Sequence, residues 1–228
     1  MKIRGAFAIL VAAAPMLVAV DVRAEGGGFE AGLRTGFGWP FGRATDPATR
    51  DMNDLTSGIV PLWIDFGARM SPHVMLGAYF QHGFGIIGDD LDAACDVNEV
   101  DCSTSSTRLG AQFHYHLTPK HRADLWLGYG FGWEWWHVGA EDPTGGVDFV
   151  LSGFEFANFQ LGVDLRPSPH FYIGPFASFS LDQFVSADVK CSGSASTSCP
   201  FGDGDIEDKS LHEWLVIGVR GGFTGYSP

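Results

Sequence analysis

The sequence predicts an all-β protein, an eight-stranded antiparallel transmembrane β-barrel preceded by a cleavable signal peptide. Three observations lead to this prediction. An apolar N-terminal segment ends in a cleavage-like pattern, and eight later segments alternate apolar and polar residues. Short turns also alternate with long polar connections, an arrangement typical of barrels that cross a bilayer with strands.

Residues 1–24 have the layout of a secretory signal peptide. A positively charged start overlaps an apolar run over residues 3–20, and a small-residue pattern ends at Ala24. A permanent membrane anchor is the alternative, because the run is nearly long enough to span a bilayer, but Pro15 interrupts it. We therefore predict a signal peptide over residues 1–24 and an outer-membrane barrel domain over residues 25–228.

The composition argues against three other classes of protein. The 228 residues include 14 Lys+Arg and 27 Asp+Glu, a formal net charge of −13, whereas nucleic-acid binding requires a basic surface. The 7 Trp, 5 Tyr and 19 Phe argue against a disordered chain. Only 18% of residues are charged, which is below the share of about a quarter that is usual in soluble domains.

Alternation of apolar and polar residues marks the strands. In the fifth segment Leu125, Leu127, Tyr129 and Phe131 occupy odd positions, and glycines and charged residues occupy even ones. We predict strands over residues 29–41, 59–70, 73–86, 107–117, 123–138, 150–166, 170–184 and 211–226.

The connections between these strands differ in length. After strands two, four and six the turns are short and rich in Pro and Ser. The other four connections are long and acidic: residues 42–58, 87–106, 139–149 and 185–210. This pattern predicts short turns in the periplasm and long loops outside the cell.

The two faces of the strands predict which side meets lipid. One face is almost free of charge and is predicted to face lipid, because a charge at the bilayer midplane costs about 2–4 kcal/mol. A soluble barrel with an apolar interior is the alternative, but the polar face is rich in glycine and lacks lysine, which suits a narrow lumen. The predicted lumenal charge network comprises Glu30, Arg34, Asp65, Arg69, Arg108, Asp124, Glu134, Asp164, Arg166, Asp182 and Arg220.

Within this network, Arg34, Asp65 and Arg220 lie at similar depths when residues are counted from the short turns. Opposite charges at one depth predict an ion-pair plug, and separate hydration of each group in a wet lumen is the alternative.

Aromatic residues cluster near strand ends, where girdles at the two membrane interfaces are expected. The predicted loop-side girdle contains Trp39, Phe41, Trp133, Trp135 and Trp136, and the predicted short-turn girdle contains Phe29, Tyr115, Phe171 and Tyr226.

The four cysteines suit an oxidising compartment such as the periplasm. They allow three pairings, and the sequence favours Cys95 with Cys102 and Cys191 with Cys199, because each of these bonds closes a short loop. Zinc binding is the alternative, but the spacings are wider than usual and no histidine lies nearby.

In alternation and in architecture the mature chain resembles the small outer-membrane barrel superfamily of Gram-negative bacteria, the OmpA-, OmpX- and OmpW-like proteins. The resemblance rests on no diagnostic motif. The chain departs from it at the end, since such proteins usually finish on an aromatic residue and this chain ends Gly225-Tyr226-Ser227-Pro228. The resemblance implies an outer-membrane location, outer-membrane lipid and lipopolysaccharide as partners, and a monomer.

Three functions remain open from the sequence. The first is a structural scaffold or narrow pore with a polar lumen and acidic, disulfide-pinned loops. The second is a channel for small apolar solutes, which similarity to OmpW-like proteins implies, and the third is adhesion through the loops. Lipid A modification is a less favoured fourth hypothesis, with His137 and Glu155, or His212 and Ser210, as candidate groups. We expect no enzyme activity and no cofactor.

Two features suggest cations, although the sequence contains no established metal motif. His114 and His116 share one strand face, and imidazole suits zinc or copper, but no third ligand is evident. Divalent cations are also candidate partners of the acidic loops, since carboxylates suit calcium, and repelling solvated loops are the alternative. The loop carboxylates are Asp89, Asp90, Asp92, Asp96, Glu99, Asp101, Asp203, Asp205, Glu207 and Asp208.

Overall fold

The computed structural model describes residues 27–44, 51–98, 100–193, 204–206 and 209–225. The predicted signal peptide lies outside these residues. Eight long strands form a closed ring: β1 (Gly28–Gly42), β2 (Thr56–Arg69), β3 (Val74–Ile87), β4 (Asp101–His116), β5 (Ala123–Asp142), β6 (Gly145–Leu165), β7 (Phe171–Gly193) and β9 (Leu211–Thr224). Three short elements lie at the long-loop end: α1 (Met52–Leu55), α2 (Asp89–Asn98) and β8 (Gly204–Asp205), which pairs with β7.

The ring closes because the first and last long strands pair with each other. Each strand from β1 to β7 pairs with the next in antiparallel register, and β9 pairs with both β7 and β1. In the β1–β9 pair, Arg34 lies opposite Arg220. The eight-stranded antiparallel barrel that the sequence predicts is therefore confirmed.

Alternation along the strands separates an apolar outer surface from a polar lumen. On β2, Phe66 is 64% exposed and points outward, whereas the adjacent Asp65 is 2% exposed and points inward. Outward Leu, Ile, Val and Phe side chains recur on every long strand of the ring, as expected of a barrel that meets lipid. No helix in the described part of the chain is long and apolar enough to cross a membrane.

The connection predicted as a long loop over residues 139–149 is instead part of a hairpin. β5 and β6 continue to Asp142 and Gly145, and only two residues lie between them. The Asp142 carboxylate accepts hydrogen bonds from Thr144 N and Oγ1, both at 2.6 Å, and from Gly145 N at 2.9 Å. The bonds from Thr144 lower the pKa of Asp142. This local capping of the turn explains why the strands extend farther than predicted.

The two neighbouring long connections also contain more regular structure than predicted. Residues 87–106 contain α2 and the first residues of β4, and β7 continues to Gly193. As a result β5, β6 and β7, with 20, 21 and 23 residues, are longer than β1, β2 and β3, with 15, 14 and 14.

Among the girdle residues that the structure describes, one differs from the prediction. Trp39 and Phe41 are exposed on the outer surface, but Trp136 is fully buried inside the barrel. The cause is the alternation itself, because Trp136 has the same parity as the inward-facing Glu134. Tyr226 lies outside the described residues.

Candidate functional site

Most of the polar side chains that the sequence predicts to be functional lie together in the lumen. Four regions follow one another along the barrel axis: the short-turn cluster, the aromatic layer, the loop-side cluster and the apolar cap. The short-turn cluster contains four arginines and four carboxylates: Arg34, Arg69, Arg166, Arg220, Glu30, Asp65, Asp124 and Asp164.

Two arginines of the short-turn cluster share one carboxylate. Arg69 donates to Glu30 Oε2 at 2.7 Å, and Arg220 donates to Glu30 Oε1 at 3.2 Å. Arg220 also donates to Asp164 Oδ2 at 2.9 Å. Asp124 accepts from Arg166 at 2.7 Å and lies 2.8 Å from His116 Nδ1. Four positive and four negative groups therefore neutralise one another in a buried setting, where unpaired charges are costly.

Arg34 forms the tightest pair of this cluster. Its Nε and Nη2 donate to the two Asp65 oxygens at 2.6 and 2.8 Å, a bidentate arrangement. Nη1 donates to Gln160 at 2.8 Å. The sequence predicts that Arg34, Asp65 and Arg220 form part of an ion-pair plug. The structure brings Arg34 and Asp65 together, whereas Arg220 pairs with Glu30 and Asp164.

The aromatic layer lies between the two charged clusters and contacts both. It contains Trp63, Tyr79, Trp126, Phe176 and Val216. The Arg34 guanidinium carbon lies 4.6 Å from the Trp63 ring centroid, and that of Arg220 lies 4.1 Å from the Trp126 ring. Stacking on these faces gives the arginines cation–π contacts in addition to their ion pairs.

The loop-side cluster contains Arg108, Glu134, Glu155, Asp182 and His212. Arg108 donates to all three carboxylates, at 3.1 Å to Glu134, 3.2 Å to Glu155 and 3.3 Å to Asp182. His212 Nε2 lies 2.9 Å from Glu134 Oε2. The Tyr79 hydroxyl of the aromatic layer donates to Glu155. Three carboxylates thus surround one arginine, unlike the balanced short-turn cluster.

The apolar cap closes the lumen at the long-loop end. Trp136, Trp214, Phe184, Leu151 and Ile59 point inward from the strands, and Ala44 and Met52 reach into the lumen from the β1–β2 connection. Met52 belongs to α1 and is fully buried. The short helix therefore seals the barrel above the loop-side cluster.

The predicted lumenal charges lie inside the barrel in the positions described above, and Arg166 alone is only partly buried. Sequence reasoning missed Glu155 as a member of the network, because strict alternation places that residue on the lipid face. A β-bulge between Glu155 and Ala157 changes the phase of β6, so that Phe154 and Phe156 point outward and Glu155 inward. The sequence did contain a signal of the bulge. Strict alternation places the Glu155 carboxylate on the lipid face and its neighbours Phe154 and Phe156 in the lumen, which is the reverse of what their polarity favours.

The residue pairs considered for lipid A chemistry do not come together. Glu155 is buried in the lumen, whereas His137 is exposed on the outer side of β5. His212 contacts Glu134 rather than Ser210. Ser, His and carboxylate groups must lie within hydrogen-bond reach to activate a nucleophile, and these pairs do not meet that condition.

The potential metal ligands that converge in the described part of the chain lie in the lumen. Among the described residues three groups converge: Glu30 with His114 and His116, His116 with Asp124 and Asp164, and Glu134 with Asp182 and His212. Asp89, Asp90, Asp92 and Asp96 lie on α2, Asp101 begins β4 and Asp205 ends β8. Glu99, Asp203, Glu207 and Asp208 lie outside the described residues.

A disulfide joins Cys95 on α2 to Cys102 on β4, with Cα atoms 6.2 Å apart, as the sequence predicted. Cys191 lies near the end of β7, and its predicted partner Cys199 lies outside the described residues.

We expect Cys95→Ser with Cys102→Ser to lower the free energy of local opening around α2 by about 2 kcal/mol, because a cross-link restricts the open state. Limited proteolysis should then cut within residues 89–100 faster. An unchanged rate of cutting at the short turns of the opposite end is the control, and an unchanged rate of cutting within residues 89–100 would contradict the expectation.

Glycines line the lumen where bulky rings need space. A Cβ built on Gly32 would lie 2.7 Å from the Tyr172 hydroxyl oxygen. We expect Gly32→Ala to destabilise the barrel by about 1–3 kcal/mol through overpacking. Tyr172→Phe removes the clashing atom, so the double variant should lose less stability than the two single losses combined. A double-mutant cycle of unfolding free energies measures this coupling, and simple additivity would refute the clash.

No protein-family model and no curated protein matches the chain. Solved structures with similar folds include Neisserial surface protein A, with 8% identity, 86% of this chain and 96% of that chain covered, and a TM-score of 0.47. A major outer membrane protein from Thermus thermophilus has 11% identity, coverages of 86% and 99%, and a TM-score of 0.47. OprG from Pseudomonas aeruginosa has 11% identity, coverages of 87% and 96%, and a TM-score of 0.46. The closed ring of paired strands, and not these similarities, identifies the fold as a barrel.

Proposed function

We propose that the chain is a non-conducting outer-membrane barrel that serves as a rigid scaffold for a structured, acidic extracellular end. The observation that supports this most directly is the filled lumen. The short-turn cluster, the aromatic layer, the loop-side cluster and the apolar cap follow one another along the axis of the described barrel. The interior of an eight-stranded barrel is just wide enough for side chains to fill, whereas barrels of about 16 strands leave an aqueous channel.

The charges at the two ends of the barrel support an orientation and a type of partner. Among the described residues the long-loop end exposes ten carboxylates and three basic groups, Arg43, Lys190 and Lys209. These carboxylates are Asp51, Asp89, Asp90, Asp92, Asp96, Asp101, Glu141, Asp142, Asp148 and Asp205. The described short turns expose Lys120 and Arg122 and no carboxylate. The acidic end, which we assign to the cell exterior, would attract a basic partner surface.

The filled lumen disfavours both channel functions, a path for small apolar solutes and a narrow ion pore. A path for small apolar solutes through the lumen would require apolar walls, whereas charged groups fill much of this interior. A narrow ion pore would require a continuous wet path through the aromatic layer and the apolar cap. The scaffold hypothesis keeps the lumen as a source of rigidity and assigns recognition to the long-loop end.

Planar-bilayer recording tests the closed lumen. Refolded protein whose gel mobility shifts on boiling should give no steady single-channel openings. A variant that combines Arg34→Ala, Asp65→Ala and Trp63→Ala removes one balanced ion pair and one ring of the aromatic layer, so it opens space without leaving a lone charge. Because the loop-side cluster and the apolar cap still close the path, this folded variant should also give no steady openings. Steady openings of the heat-modifiable wild type would overturn the proposal.

Binding to a lysine-rich peptide tests the acidic end. Asp89→Asn, Asp90→Asn and Asp92→Asn together remove three exposed charges of α2 and should weaken binding. The binding should also fall with added salt, because exposed charges are screened over about 10 Å at 0.1 M ionic strength. Lys120→Ala, at the opposite end, is the matched surface control. Equal binding by wild type and the triple variant would mean that α2 does not take part in recognition.

A further inference from the structure

The two charged clusters of the lumen differ in their balance of charge. The short-turn cluster has four arginines for four carboxylates, whereas the loop-side cluster has Arg108 for Glu134, Glu155 and Asp182. All four of these side chains are buried, with exposures of 0–1%. Two negative charges are therefore uncompensated by arginine in a region shielded from water, where such an excess is strongly unfavourable.

The clusters also differ in how their carboxylate oxygens are used. In the short-turn cluster both oxygens of Glu30, Asp65, Asp124 and Asp164 accept hydrogen bonds. In the loop-side cluster Asp182 Oδ1 is buried and has no hydrogen-bond partner among the described residues. Because a buried oxygen without a partner is costly, this atom indicates that a ligand completes the cluster.

The donors around the loop-side cluster occupy one oxygen of each of two carboxylates. Arg108 and Ser106 donate to Glu134 Oε1, the latter at 2.7 Å. Arg108 and Ser180 donate to Asp182 Oδ2, the latter at 2.6 Å. These donors do not contact the second oxygen of either carboxylate, Glu134 Oε2 or Asp182 Oδ1. Glu134 Oε2 lies 2.9 Å from His212 Nε2, and Asp182 Oδ1 is the unpartnered oxygen described above. One ligand atom from each of Glu134, Asp182 and His212 lies within 4.8 Å of the others.

We propose that the loop-side cluster binds one divalent transition-metal ion, with Glu134, Asp182 and His212 as its ligands. Two carboxylates and one imidazole form a donor set that suits zinc or manganese. With a neutral His212, a charge of +2 added to Arg108 balances the three carboxylates. Arg108, Ser106 and Ser180 then orient the ligating carboxylates through their other oxygens, as outer-shell groups do in metal sites.

The position of the site implies a structural role. The aromatic layer lies on one side of the cluster and the apolar cap on the other, so the ion would be enclosed between them. An ion bound in the folded state and not in the unfolded chain stabilises the fold. Enclosure also predicts that the ion enters during folding and exchanges slowly with chelators afterwards.

Refolding with metal tests the site. The full chain is refolded with Zn²⁺, Mn²⁺ or Co²⁺, or with a chelator, and the heat-modifiable fraction is desalted and analysed for metal. We expect roughly one ion per chain and a higher midpoint of urea unfolding for the metal-refolded protein. Asp182→Asn and His212→Ala should each reduce metal retention by roughly tenfold or more, since even the loss of an outer-shell partner typically costs that much. The Co²⁺ absorption spectrum reports coordination independently of stability.

His116→Gln is the matched control, because His116 belongs to both of the other groups of potential ligands, in which it lies beside carboxylates of the short-turn cluster. This variant should retain the ion and its Co²⁺ spectrum. Loss of the ion from His116→Gln together with retention by His212→Ala would move the site to the short-turn cluster and overturn the proposal. Wild type that contains no metal after refolding with each of the three ions would also overturn the proposal. Bound protons would then have to compensate the excess negative charge of the cluster.

Discussion

Glu30→Gln should destabilise the barrel by about 3–5 kcal/mol, because it leaves two buried guanidinium groups without the carboxylate that they share. Glu30 is fully buried, and its two oxygens accept from Arg69 and Arg220 at 2.7 and 3.2 Å. Glutamine keeps the shape of the side chain but removes the negative charge between the two guanidinium groups. Urea unfolding of the refolded protein, followed by tryptophan fluorescence and gel mobility, measures the loss.

Glu141→Gln is the control for this change, because it makes the same substitution at an exposed position of the β5–β6 hairpin. Surface substitutions of this kind are expected to alter stability by no more than about 0.5 kcal/mol. Equal unfolding midpoints for the two variants would mean that Glu30 is hydrated rather than part of a neutralised buried cluster. The alternative of separately hydrated lumenal groups would then be correct.

The faces of the strands could be predicted from the sequence, because the side-chain period of a strand is two and lipid excludes charge from one face. That reasoning separated Asp65 from Phe66 and located most of the lumenal charges. It did not give ion-pair partners, which depend on strand register and stagger. Arg34 and Arg220 lie opposite each other, yet Arg34 pairs with Asp65 and Arg220 with Glu30 and Asp164.

The features that escaped prediction arise where local geometry breaks a simple period. The bulge in β6 turns Glu155 into the lumen, and the loop-side cluster gains the carboxylate that makes it acidic. Asp142 caps a tight turn and thereby converts an expected loop into strand. Alternation predicts neither feature, because the bulge depends on how β6 pairs with β7, and the capped turn depends on local hydrogen bonds to the Asp142 carboxylate.

In protein refolded with a chelator, Glu155→Gln should not cause the large loss of stability that we expect from Glu30→Gln. Arg108 lies among three carboxylates, so the substitution removes an excess negative charge and leaves Glu134 and Asp182 beside the guanidinium. The glutamine oxygen can accept from Arg108 and Asn158, and its amide can donate to the Tyr79 hydroxyl oxygen. We expect stability within about 1 kcal/mol of wild type, or above it, because the removed charge was uncompensated.

The same variant refolded with a divalent ion gives the second half of this prediction. When Glu134, Asp182 and His212 hold the ion, the charges of the cluster sum to zero, and removing Glu155 leaves one positive charge in excess. Glu155→Gln should therefore reduce the gain in stability that metal gives the wild type. A loss near that of Glu30→Gln in the chelator-treated protein would contradict the charge excess. The two clusters would then be electrostatically alike, despite their different numbers of arginines.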